Sequence, residues 1–122
     1  MRVEIQLKST ESWMDKSDLE ELWKWARDDA LHEIILDYFD NVDVKGHVNY
    51  RTVTETREGK VYNVQAPYLV ITGEDVQVLV ACISLQSHDN AGQLILKHPK
   101  EGWEWIKQAL RDKNPDIANL FF

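Results

Sequence analysis

The sequence predicts an α+β domain built on a mostly antiparallel sheet of about five strands, in the order β-α-β-β-β-β-α. It would carry a long or broken first helix and a C-terminal helix packed on one face. Three observations predict it. Runs of β-branched and apolar residues recur through the middle of the chain, each bounded by a turn signal. Two stretches nearer the ends place apolar residues at helical spacing instead. Strands joined by short turns pair antiparallel, which leaves the helices to cover one face.

The first strand is an alternation. Val3, Ile5 and Leu7 point one way, and Arg2, Glu4, Gln6 and Lys8 the other, the period of a half-buried strand. A helix start follows at Ser17-Asp18-Leu19-Glu20, which fits a capping box. Asp18, Glu20 and Glu21 lie where the helix dipole favours negative charge. The helical stretch runs to about Asp40. Residues 47–56 are rich in β-branched side chains and tyrosine, and Thr56-Arg57-Glu58-Gly59-Lys60 is a hairpin turn with Gly59 in the left-handed position. Residues 61–65 return from it. Pro67 then marks a bulge or edge before a strand at 68–72. After a turn at Gly73-Glu74-Asp75, residues 76–86 form the most apolar strand, expected at the centre of the sheet. Asp89-Asn90-Ala91-Gly92 turns the chain into a strand at 93–97. A last helix covers 101–113 and stops at Asn114-Pro115, because the residue before proline is pushed out of the helical region.

The chain of 122 residues is read as a single domain, 1–122. With 43% apolar and 10% aromatic residues it is too hydrophobic for disorder. Its one cysteine, Cys82, falls in the most apolar run and is expected in the core. A lone cysteine and an N-terminus without a basic start and apolar run point to a cytoplasmic protein with no secretory signal. The apolar runs are too short to span a bilayer.

The net charge of −7 is concentrated. Positions 11 to 43 hold eleven acidic and three basic residues; the remainder holds ten and eleven. Such a segment repels nucleic acid and anionic membranes and favours a basic protein partner or self-association.

The first helix conflicts with itself. Leu19, Leu22, Trp23, Ala26 and Ala30 share one arc; Leu31, Ile34, Ile35, Tyr38 and Phe39 share another, turned by roughly 140°. Asp29, Glu33, Asp37 and Asp40 line up on the face that was apolar a turn earlier. Either the helix breaks near Asp28-Asp29 or its halves bury against different things. Four of the five tryptophans form the pairs Trp23/Trp25 and Trp103/Trp105. In the last helix both can border the arc of Ile106, Ala109 and Leu110. In the first, Trp23 joins the apolar face and Trp25 falls beyond its edge. Exposed tryptophan is enriched at interface hot spots, so Trp25 is the interface candidate. Leu120-Phe121-Phe122 must dock too, on the chain's own core or on another protomer.

Catalytic signals are sparse. His32, His47, His88 and His98 lack metal-ligand spacing, and there is no glycine-rich phosphate loop. His88-Asp89 reads as a general base beside a carboxylate or as a polar turn cap. No cofactor or metal is indicated.

Two functions are carried forward. The leading one is a non-enzymatic protein-interaction module, a small acidic inhibitor or immunity-type protein. It would bind a basic protein surface through Trp25, Asp29, Glu33, Asp37 and Asp40. The alternative is a small-molecule or nucleotide-binding homo-oligomer that uses a sheet face with Tyr50, Arg51, Arg57 and Tyr62, together with His88.

Overall fold

The computed structural model describes residues 1–7, 16–28, 34–89, 92, 94–97 and 102–122. Its elements run β1 (Arg2–Leu7), α1 (Lys16–Ala26), α2 (Leu36–Tyr38), β2 (Val44–Arg57), β3 (Lys60–Gly73), α3 (Asp75–His88), β4 (Leu94–Lys97), α4 (Trp103–Lys113) and α5 (Pro115–Ala118). The four strands form one antiparallel sheet in the order β2-β3-β1-β4.

The largest correction concerns residues 76–86. They are not the central strand but most of helix α3, and every residue from Val76 to Leu85 is buried. A helix enclosed on all sides is apolar all round, so it loses the period that marks amphipathic helices and reads as a buried strand. The turn expected at Gly73-Glu74-Asp75 is the start of this helix. The Glu74 side chain accepts from the Gln77 backbone N–H at 3.0 Å, and Asp75 occupies the first turn, as the unpaired N–H groups and the dipole favour.

The runs at 61–65 and 68–72 are one strand, β3, continuous through Pro67. Pro67 lies just past Gln6↔Tyr68, the last pairing of β1 with β3. A missing N–H is tolerated where a strand loses a neighbour. These two changes reduce the six runs read as strands to four, against the sheet of about five that was expected. The hairpin turn stands as read: Glu58 and Gly59 have φ of 52° and 76°, the mirror-image turn that suits the twist of paired strands.

The first helix is not long. α1 ends at Ala26, shortly before Asp28-Asp29, and the described chain resumes with a short helical stretch whose regular part is α2. Within α1, Leu19, Trp23 and Ala26 are buried and Leu22 is partly so. The Trp23 ring lies on the backbone of β2 at Gly46, where an added Cβ would sit 2.5 Å from Trp23 Cε2. Glycine here serves close approach of ring to strand.

Helices α1, α3 and α4 share one face of the sheet. Val3, Ile5, Leu69, Ile71, Leu94 and Leu96 point from the sheet into the cluster completed by Leu19, Leu79, Leu85, Ile106 and Leu110. Each such aliphatic side chain contributes about 1.5–3 kcal/mol by leaving water. Asn114 ends α4 and caps α5, its Oδ1 accepting from Ile117 N–H at 3.1 Å. Ile117 and Ala118 then enter the core. Of the tail itself, Phe121 packs partly against the core, while Leu120 and Phe122 stay exposed. Phe122 lies 4.8 Å below the Arg111 guanidinium.

Gly46→Ala drives a methyl group into an indole that is itself held by the core. It should destabilise the fold by about 1–3 kcal/mol, read as a lower urea midpoint at unchanged slope. A midpoint equal to wild type would mean Trp23 is free to move aside.

Candidate functional site

Trp25 stands at the C-terminal end of α1, where that helix meets the end of α3. It is 53% exposed, against 8% for Trp23 two residues earlier. Its ring makes a T-shaped contact with His88, centroids 6.2 Å apart. His88 Nδ1 lies 2.8 Å from the Ser84 carbonyl, so that nitrogen donates and the ring is fixed. Glu21 and Asp28, four residues before and three after Trp25, border it on the helix surface and are exposed. Asp28 also accepts from Arg27 Nε at 3.4 Å.

Of the acidic stripe, Asp37 and Asp40 are exposed in and just after α2. Asp29 and Glu33 lie outside the described residues. Leu36 and Tyr38 flank Asp37 and are exposed as well. The described part of this segment thus mixes carboxylates with uncovered apolar side chains.

The sheet-face constellation is not gathered in one place. Neighbours along a strand point to opposite faces, so Tyr50 looks to the helix side and Arg51 to the open side. Arg51 reaches across β3 and donates two hydrogen bonds of 2.6 Å to Glu4 on β1. On the way its guanidinium covers the Tyr68 ring at 4.7 Å. The Tyr68 hydroxyl donates to Gln6 Oε1 at 2.9 Å. Arg57 pairs with Glu55 at 2.6 Å. Tyr62 stands opposite Glu55. With Arg57, Glu58, Asn63 and Val64 it lines an open cavity of about 360 Å³ near the hairpin tip. His88 belongs to the helical layer.

The Arg51 hydrogen bonds, outweighing the effect of burial and helped by Arg2, lower the Glu4 pKa from 4.5 to about 2. Glu4 in turn raises Arg51. The partnership of Glu4, Gln6 and Tyr68 with Arg51 was not read from the sequence. The alternation of β1 puts Glu4 and Gln6 on the outward face, but only strand order and register bring them beneath Arg51.

His88 and Asp89 end helix α3 rather than a strand, and Asp89 Oδ2 accepts from Leu94 N–H at 2.9 Å, which closes the turn into β4. Burial raises the Cys82 thiol to about 12, so it is a core side chain and no nucleophile. Among the described residues no three His, Cys, Asp or Glu side chains stand together as metal ligands, and no helix is long and apolar enough to cross a membrane. No family model, curated protein or solved structure matches this chain.

Because the folded-state pKa of Glu4 is depressed, its pairing contributes stability above 4.5 and loses it as the pH falls toward about 2. Glu4→Gln should be less stable than wild type near neutrality, and should decline less steeply through that acid window. Urea titrations at stepped pH measure both. Parallel declines in the two proteins would remove Glu4 from the account.

Proposed function

We propose that this protein is a non-enzymatic interaction module of the acidic inhibitor or immunity type, which binds a basic protein surface through the segment centred on Trp25. The observation that carries this reading is the half-exposed indole bordered by Glu21 and Asp28. A large apolar ring is held in place by His88 and left uncovered. Carboxylates at the rim accelerate encounter with a basic surface, and a desolvated aromatic anchor slows its release. Asp37 and Asp40, with Leu36 and Tyr38 nearby, extend the same chemistry into α2 and the stretch just after it. The surplus of negative charge in the first third of the chain supports the reading too, because it makes the field there one-signed.

The sheet-face alternative has less support. The Arg51 guanidinium that would bind an anionic ligand is committed to Glu4.

The test is affinity capture from a lysate of the source cells at low and high salt. The baits are wild type, Trp25→Ala and the double variant Asp37→Asn/Asp40→Asn. The expected result is a basic protein held at low salt and released at high salt. It should be lost on Trp25→Ala and weakened in the double variant, with all three baits melting within a few degrees of one another. Capture indifferent to both salt and Trp25→Ala would sink this function.

A further inference from the structure

β2 is the outer strand of the sheet along its whole length. Its inner edge pairs with β3 from Val44 to Arg57, and no described element pairs with its outer edge. Soluble proteins ordinarily protect such edges by shortness, proline, a bulge or charged side chains, and of these β2 has only the charges Lys45, Arg51, Glu55 and Arg57, which select a register. β2 is 14 residues long, contains no proline and pairs one residue for one throughout.

Its two halves differ. Lys45–Asn49 lie within the full sheet, since their β3 partners Thr72–Tyr68 are paired on the far side with β1. From Tyr50 to the turn, β2 and β3 have only each other. A two-stranded ribbon is marginal by itself. The half of the edge that rests on the sheet is thus continuous with the half that needs support.

We propose that a second copy of this chain pairs antiparallel along this edge, with the two-fold axis at Tyr50. Residues opposed across such a pair share a face of the sheet. Tyr50 then meets the partner's Tyr50, Lys45 meets the partner's Glu55, and Asp43 meets the partner's Arg57. Arg51 faces the partner's Asn49, and Val53 the partner's His47. Glu55 and Arg57 pair with each other along β2 at 2.6 Å, so Lys45 and Asp43 of the partner add to that pair and complete a group of alternating sign. Symmetry repeats the group, and no like charges are opposed.

Other registers do worse. An axis at Arg51 sets that side chain against itself and Lys45 against Arg57. An axis at Asn49 sets Asp43 against Glu55, and one at Thr54 sets Arg51 against Arg57. An axis at Val53 opposes Arg51 to Glu55 but leaves Lys45–Val48 without partners on the opposing strand.

With the axis at Tyr50, residues 51–57 of each copy lie along residues 43–49 of the other. Each ribbon gains a third strand that rests on a complete sheet. The two sheets become one, with the helices of both copies on the same side. The 50% exposure of Tyr50 is covered by its symmetry mate, an aromatic cross-strand pair of the kind that stabilises sheets. The interface is isologous, so it closes at two copies.

The experiment is size-exclusion chromatography with light scattering on the full chain. It is run in moderate salt, where repulsion between two negatively charged copies is screened. Wild type is expected at twice 14.3 kDa. Lys45→Glu, on an exposed side chain, opposes two carboxylates at both ends and is expected as a monomer with an unchanged fold by circular dichroism. The double variant Lys45→Glu/Glu55→Lys restores the dimer. So does an equimolar mixture of Lys45→Glu with Glu55→Lys, because each supplies the charge the other lacks.

Tyr50→Cys gives an independent reading. Directly opposed Cα atoms in antiparallel strands are about 4.5–5.5 Å apart, within disulfide reach. It should therefore link covalently under mild oxidation while Thr52→Cys does not. Cys82 is buried and silent. A wild type that stays monomeric at the highest soluble concentration overturns the proposal, whether or not the edge then accepts a strand from another protein. A dimer that ignores Lys45→Glu and is not linked through Tyr50→Cys overturns it as well, since the copies then meet elsewhere.

Discussion

The body of helix α3, from Val76 to Leu85, has no side that meets water, and the rest of the molecule is arranged to satisfy that. A helix buried on every face needs a sheet beneath it and a neighbour on each flank. β3, α1 and α4 all pack on α3. Its two buried polar side chains must also be paired. Gln77, 2% exposed, accepts from Asp43 N–H at 2.6 Å and donates to the Asn41 carbonyl at 3.0 Å. It thereby behaves as a peptide group for the segment that leads into β2. Ser84 lies 3.4 Å from the Ala26 carbonyl, where α1 ends. The polar exceptions in α3 thus fix the start of the edge strand and the end of the helix that carries Trp25.

The sequence made the exposed parts of this arrangement legible and concealed the enclosed one. β1, the Glu58-Gly59 turn, α4 and the stop at Asn114-Pro115 were all readable, because each carries a local signal with one meaning. α3 was not. Its acidic start, Glu74-Asp75, signals a turn as well as a helix, and its body has no polar face to set a period. Length is the distinguishing clue, since the whole stretch 76–86 exceeds the usual buried strand of about 4–8 residues, although its uninterrupted apolar run, 78–83, does not. Trp25 was legible for the opposite reason. Trp23 and Trp25 point roughly 200° apart on a helix, so if one is inside the other is not.

The sheet-face residues are only partly brought together, because which of them share a face depends on register. Residue types alone offered Tyr50, Arg51, Arg57 and Tyr62 as one cluster. Alternation along β2 divides Tyr50 from Arg51, and strand order places Glu4 within reach of Arg51. The Arg51–Glu4 pair spans three strands and lies over Tyr68. It is two-thirds shielded from water on the arginine side and more on the glutamate side, so it is worth more than an open surface pair while staying short of the cost of full burial. Its effect is mechanical. It anchors the two-stranded ribbon at the residue where β1 stops supporting it.

That anchor connects the sheet to the proposed self-pairing. A ribbon free to swing would lose ordering entropy on meeting a second copy. One clamped at Arg51 presents its outer edge already in line with the strand behind it. The acidic segment imposes the opposing term. Two copies with net charge −7 repel at long range, and that repulsion falls as salt screens it. Salt also weakens the Lys45–Glu55 and Asp43–Arg57 pairs across the proposed edge, while the backbone hydrogen bonds along β2 are neutral and unaffected. As proposed above, the Trp25 surface draws its encounter rate from the unscreened field and is weakened by the same change. The two proposed surfaces differ in character: carboxylates of one sign border Trp25, while the β2 edge combines backbone hydrogen bonds with residues of alternating charge. Trp23 separates them, because the ring that seats α1 on Gly46 of β2 turns Trp25 away from the sheet.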